Sequence, residues 1–291
     1  MTLISLALVT AVLAPPNTKL LVDAAWLNSH LKDPNIVILH AAQRADEYEK
    51  GHVPGARLVV WSEYVKDDDN LHSELPDVAT LKATFENAGV SDDATIIVYG
   101  EGMIAERAFM TLEYLGHKDV RVLNGGLKAW KLAGLPVETV PTTKAKPGKL
   151  TVKPQSFVVD AAYVNANRTK SSFALIDARP AAEFTGSDEG HGTHKRTGHI
   201  PGAQNIYWTR FLVSRDNPVL LPEPELRALF QRAGATDGKT VIVYCMIGMR
   251  ASVAYFVSRY LGYDTKFYDG SWADWSTRED LPVEKGGEPV K

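Results

Sequence analysis

The chain of 291 residues is 45% hydrophobic and 23% charged, with a formal net charge of −3. That composition belongs to a globular protein and excludes disordered, collagen-like and coiled-coil chains. No basic surplus exists to attract nucleic acid, and one cysteine, Cys245, excludes an intrachain disulfide and a cysteine-rich zinc site.

Residues 3–13 are almost wholly apolar. They are too short to span a bilayer, which takes about 20 residues, but they have the length of a signal-peptide core. Ala11 and Ala14 offer cleavage points, although no Lys or Arg precedes the stretch and Pro15 fits poorly after a cut at Ala14. The reading is a signal segment over 1–17 and a periplasmic or secreted protein, with a retained segment and a cytoplasmic protein as the alternative. No later stretch is apolar enough to cross a membrane.

From there the chain is one unit written twice, with a period of roughly 140 residues. Leu21-Val22-Asp23-Ala24-Ala25-Trp26-Leu27 returns as Val158-Val159-Asp160-Ala161-Ala162-Tyr163-Val164. Gly51-His52-Val53-Pro54-Gly55-Ala56 returns as Gly198-His199-Ile200-Pro201-Gly202-Ala203, and Thr95-Ile96-Ile97-Val98-Tyr99 as Thr240-Val241-Ile242-Val243-Tyr244. Tyr114-Leu115-Gly116 returns as Tyr260-Leu261-Gly262. The apolar runs 36–39, 96–99, 174–176 and 241–244 read as buried strands. The last of each copy precedes a helix, over 105–115 and 251–261, with Gly116 and Gly262 as C-caps. Continuous apolar strands alternating with helices predict an α/β fold, a parallel sheet covered on both faces in each copy. The Pro-, Lys- and Thr-rich stretch after residue 140 reads as an extended linker.

In parallel sheets, ligands sit at the carboxyl ends of strands. There the 241–244 strand runs into Cys245-Met246-Ile247-Gly248-Met249-Arg250 and a helix start. A lone cysteine is usually a small core residue. Here converging loop amides, a helix N-terminus and Arg250 favour thiolate over thiol and a nucleophilic role. Gly100 stands at the same place in the first copy, followed by Glu101 and Glu106, so that copy performs no thiol chemistry. It packs on the second copy and walls the site.

The repeated Gly-His-Val/Ile-Pro-Gly-Ala, the Asp177-Ala178-Arg179-Pro180 strand end, the Cys245 loop and Tyr268-Asp269-Gly270-Ser271-Trp272-Ala273-Asp274-Trp275 together resemble the two-domain rhodanese sulfurtransferases from about Leu20 onward. The resemblance implies two tandem rhodanese-like domains, an inactive one over 18–140 and a catalytic one over 157–291, joined by a linker at 141–156. It implies sulfane-sulfur transfer through a persulfide on Cys245, cradled by Met246, Ile247, Gly248, Met249 and Arg250, with no metal or organic cofactor. The partners are then a small-molecule sulfur donor and acceptor (thiosulfate with cyanide or a thiol), and a monomer is expected.

Arg179 matches a substrate-contacting arginine of the family, and Arg250 is the second candidate for binding the donor. The family's other nearby arginine is replaced by Glu183. The loop matches neither the thiosulfate nor the mercaptopyruvate pattern of the family. Thiosulfate is the first reading, 3-mercaptopyruvate the alternative, and a non-catalytic sulfur carrier the reading from another class. Cysteine phosphatases that resemble this fold place five residues between cysteine and arginine; four stand here, a cradle small for phosphate. An insertion near 186–197, with His191, His194, Lys195 and Arg196, reads as a solvated loop or as a replacement cationic rim. His199 recurs as His52 and reads as structural.

Overall fold

The computed structural model describes residues 15–68, 71–142, 146–190 and 196–291. The candidate signal segment lies outside them, apart from residues 15–17. No helix among the described residues is long and apolar enough to cross a membrane.

The first half contributes β1 (Leu21–Val22), β2 (Ile36–Ala42), β3 (Arg57–Val60), β4 (Lys66–Asp68), β5 (Leu71–Glu74), β6 (Thr95–Gly100) and β7 (Val120–Leu123). The second contributes β8 (Val158–Val159), β9 (Phe173–Asp177), β10 (Ala203–Asn205), β11 (Thr240–Tyr244) and β12 (Asp264–Tyr268). Strands β4 and β5 form a small antiparallel pair. The others make two five-stranded sheets, ordered β1-β7-β6-β2-β3 and β8-β12-β11-β9-β10. Every pairing in both is parallel. The apolar runs read from sequence are the central strands, buried on both faces by helices, as parallel sheets require.

The duplication extends to single hydrogen bonds. Asp23 and Asp160 each cap a helix, accepting from the backbone N–H of Trp26 and Tyr163. The Tyr99 and Tyr244 hydroxyls accept from the N–H groups of Val53 and Ile200. His52 and His199 are buried, and each bridges by backbone to a glutamate near the end of its own copy, Glu138 and Glu284. Trp130 and Trp275 donate to the carbonyls of Pro136 and Pro282. Neither histidine lines the cleft: the Nδ1 of His52 lies 2.9 Å from the Tyr48 carbonyl and that of His199 2.8 Å from the Phe184 carbonyl.

The two halves share one apolar core. Helix Ile104–Tyr114 packs on helix Met249–Tyr260, with Phe109 and Phe256 edge to face at 4.9 Å between ring centres. At the edges of this contact Glu113 accepts from Tyr255 and Arg259. Of the stretch read as a linker, described residues 146–155 form neither helix nor strand and are fastened to the first half. Gly148 N–H donates to the Glu86 carbonyl at 2.7 Å, and the N–H groups of Lys153 and Gln155 donate to Leu115 and Tyr114.

Between the halves Glu74 sits half-buried, and one of its carboxylate oxygens has no hydrogen-bond partner. Burial, and then neighbouring Asp269, push its carboxyl up from 4.5 to about 8. Only the folded chain holds that proton between these two values. Stability therefore falls as pH rises across the window and is level above it. Glu74→Gln is expected to remove this loss. Its melting temperature should match the wild type near pH 4.5 and exceed it by a few degrees at pH 8.5, read by circular dichroism.

Candidate active site

Cys245 follows β11 directly. It lies at the floor of a cleft of about 1580 Å³ between the halves, with no solvent-accessible surface of its own. Its loop closes at Gly248, which takes a left-handed conformation (φ 82°) as N-cap of helix Met249–Tyr260. A side chain there has no room: a Cβ would fall 2.7 Å from Asp269 Oδ1 and 2.9 Å from Arg107 Nη1.

Ser271 braces the loop from behind. Its Oγ accepts from the N–H groups of Cys245 (3.2 Å) and Gly248 (3.1 Å) and donates to the Tyr268 carbonyl (2.9 Å). Trp272 and Ala273 N–H donate to the carbonyls of Cys245 and Met246, both at 3.0 Å. Five other N–H groups, at Met246, Ile247, Met249, Arg250 and Ala251, have no protein acceptor among the described residues. They belong to the loop and to the first turn of the following helix, where orphan donors present positive potential to an anion.

Arg250 lines the cleft, but its charge is matched. Nη1 lies 2.8 and 2.9 Å from the two oxygens of Glu183, which is buried and also lines the cleft. Burial works against the Arg250 charge, but the Cys245 sulfur and the Glu183 carboxylate hold the guanidinium above its usual range. The glutamate that replaces the family's arginine is therefore the partner of the loop's own arginine.

The expectation of a substrate-facing Arg179 is not met. Its side chain is 1% exposed and lies outside the cleft wall. It donates to both oxygens of buried Asp177, at 2.6 Å from Nη2, and to the Gly198 carbonyl at 2.7 Å. Its guanidinium stacks 4.6 Å from the Trp272 ring. Arg179 ties the ends of β9 and β11, at Asp177 and Tyr244, to the Gly198 carbonyl and to Trp272 behind the loop.

Of the insertion, His191, His194 and Lys195 lie outside the described residues. Arg196 supplies no cation to the rim. It donates to the carbonyls of Trp275, Ser276, Arg278 and Leu281, at 2.5 to 3.0 Å.

The first half furnishes the opposite wall. Gly100 pairs with Ala41 in register, and a Cβ on it would lie 2.3 Å from the Ala41 carbonyl oxygen. Glu101 and Glu106 line the cleft beside it. Burial pushes the Glu106 carboxyl up to about 7, and one of its oxygens has no partner.

Sequence reasoning did not single out Ser271, Glu183 as a partner of Arg250, or Arg107. Their partners are distant in the chain, 67 residues away for Glu183 and 162 for Arg107.

Comparison with known proteins identifies the family. The rhodanese-like domain model matches residues 23–133 and 160–278. The sulfur carrier protein TtuD of Thermus thermophilus is 35% identical, over 93% of this chain and 98% of that one. A 3-mercaptopyruvate sulfurtransferase of Escherichia coli is 33% identical over 94% and 100%, and a thiosulfate sulfurtransferase of Corynebacterium glutamicum 31% identical over 91% and 90%. Among solved structures YnjE superposes with a TM-score of 0.85 at 26% identity, covering 94% of this chain and 70% of that one. The chain belongs to the rhodanese family, with two rhodanese-like domains in tandem.

Proposed function

We propose that the protein is a sulfurtransferase that stores sulfane sulfur as a persulfide on Cys245, taking it from thiosulfate and passing it to cyanide or a thiol. One observation carries this reading. The single cysteine lies at the floor of the interdomain cleft, in a loop whose free amides surround a helix start. Relatives of nearly full-length match are named thiosulfate and 3-mercaptopyruvate sulfurtransferases, which supports the reaction class.

The Cys245 thiolate attacks the outer sulfur of thiosulfate. The donor's S–S bond breaks, sulfite leaves with the bonding pair, and the cysteine carries a terminal anionic sulfur. The loop amides stabilise that charge as an oxyanion hole does. An acceptor nucleophile then attacks the terminal sulfur, the new S–S bond breaks, and the thiolate returns. Two half-reactions on one covalent carrier give ping-pong kinetics.

A sulfur-relay role is the second reading, favoured by the pair of Arg250 and Glu183. The cation beside the cysteine is already matched by a carboxylate, so a small dianion must compete for it. The relative named as a sulfur carrier supports the same reading. Incubation with thiosulfate and mass spectrometry tests the proposal, with a gain of one sulfur atom expected on Cys245. Loading only from a persulfidated protein would establish the relay instead, and loading from neither would refute both. Glu183→Gln frees Arg250 for the donor, and is expected to lower the KM for thiosulfate about tenfold, with a smaller change in kcat.

A further inference from the structure

The duplication provides an internal control on the interface. Helices Ile104–Tyr114 and Met249–Tyr260 align through Tyr114-Leu115-Gly116 and Tyr260-Leu261-Gly262, which sets Arg107 opposite Val253. The motifs after β7 and β12 set Asn124 opposite Asp269. Each of those last two reaches across the interface in the same way. Asn124 Oδ1 accepts from Leu220 N–H at 2.9 Å, and Asp269 Oδ2 accepts from Leu75 N–H at 3.1 Å. The symmetry breaks in charge. Asn124 and Val253 are a neutral set, whereas Arg107 and Asp269 are an ion pair.

That pair stands only behind the cysteine loop. Arg107 is fully buried, and its Nη1 lies 2.5 Å from Asp269 Oδ1 and its Nη2 3.2 Å from Oδ2. Nη2 also donates to the Ser73 carbonyl at 2.5 Å. Both groups press against Gly248, as the short approaches of a Cβ built there show. The half without a cysteine thus carries an arginine aimed at the other half's loop.

We propose that Arg107 is a positioning residue of the cysteine site, supplied by the half without a cysteine: it neutralises Asp269 directly behind the loop and, through that pair, fixes the Gly248 turn. The proposal builds on Cys245 being the nucleophile. Asp269 is needed where it is, because it accepts from Leu75 N–H across the interface. Left alone it would place a buried negative charge against a loop whose work is to hold an anion. Arg107 cancels that charge.

The charged groups around the loop are Arg250 and Glu183 on its cleft side and Arg107 and Asp269 behind it. Glu74 and Asp274 lie beside Asp269, Glu101 and Glu106 lie on the facing wall, and Lys128 and Arg215 also line the cleft.

The test is the pH dependence of Cys245 alkylation by iodoacetamide, which reads the thiolate whether or not the protein transfers sulfur. Arg107→Met is expected to move the midpoint up by about one pH unit, and to slow alkylation at pH 7 about tenfold. Asp269→Asn is expected to move it down. Arg107→Met combined with Asp269→Asn is expected to return it to within a few tenths of wild type. Arg107→Lys keeps the charge, stays near the wild-type midpoint, and serves where Arg107→Met does not fold. A lowered melting temperature with an unmoved midpoint in Arg107→Met and Asp269→Asn overturns the proposal and leaves Arg107 a structural residue. Shifted midpoints in a protein that loads no sulfur from any donor would refute the sulfurtransferase reading while sustaining this one.

Discussion

Cys245→Ser is expected to abolish sulfur loading and to lower turnover by at least about 10³-fold, because every sulfur atom passes through one covalent carrier. Serine is close in volume, and the loop's hydrogen bonds run through backbone groups and Ser271, so the variant should fold and melt within about 1 kcal/mol of the wild type. A hydroxyl cannot take over. It is not ionised near neutral pH, and an oxygen–sulfur bond does not offer the acceptor a sulfur in the same exchange. Mass spectrometry after incubation with donor, and rate measurement with cyanide, check both halves of the expectation. The first half of the chain has no cysteine to stand in for it. Introducing cysteine by Gly100→Cys should not restore activity to Cys245→Ser, since its Cβ would meet the Ala41 carbonyl oxygen at 2.3 Å. A fully active Cys245→Ser would defeat the persulfide mechanism.

The tandem architecture was legible because the two copies annotate each other. Asp23 and Asp160, His52 and His199, and Trp130 and Trp275 recur in sequence and then make the same hydrogen bond or bridge in the structure. The place of Cys245 was legible for a related reason: a short apolar strand that ends in a loop and a helix puts the next residue at the sheet's carboxyl edge. Side-chain direction was not. Arg179 stands two residues beyond Asp177, and nothing local says that it turns into the sheet end toward that carboxylate rather than out to the cleft. Glu183 read as the loss of a cation, whereas its partner Arg250 lies 67 residues on. Arg107 fell on the apolar face of a helix, where only comparison with Val253 in the other copy marks it as unusual.

The underside of the loop supplies the other large effect. Ser271→Ala deletes a fully buried hydroxyl that makes three hydrogen bonds, two accepted from Cys245 and Gly248 N–H and one donated to Tyr268. Its loss leaves two donors and an acceptor unpaired in a site too tight for easy rearrangement. The cost is about 2–4 kcal/mol, since each buried orphan costs about 1–3 kcal/mol and partial relaxation recovers some of it. The loop then relaxes by turning those amides toward any acceptor it can reach, which spoils the ring that holds the transferred sulfur. We expect kcat to fall about 10²-fold, comparable to removing one oxyanion donor. Backbone strain is separable from this effect. Ser271 sits at φ 52°, where glycine is unstrained and alanine is not. Ser271→Gly should therefore be less destabilised than Ser271→Ala in urea unfolding, yet be equally slow. If the glycine variant instead turned over at the wild-type rate, the hydroxyl would be a structural filler and the loop would hold its shape without it.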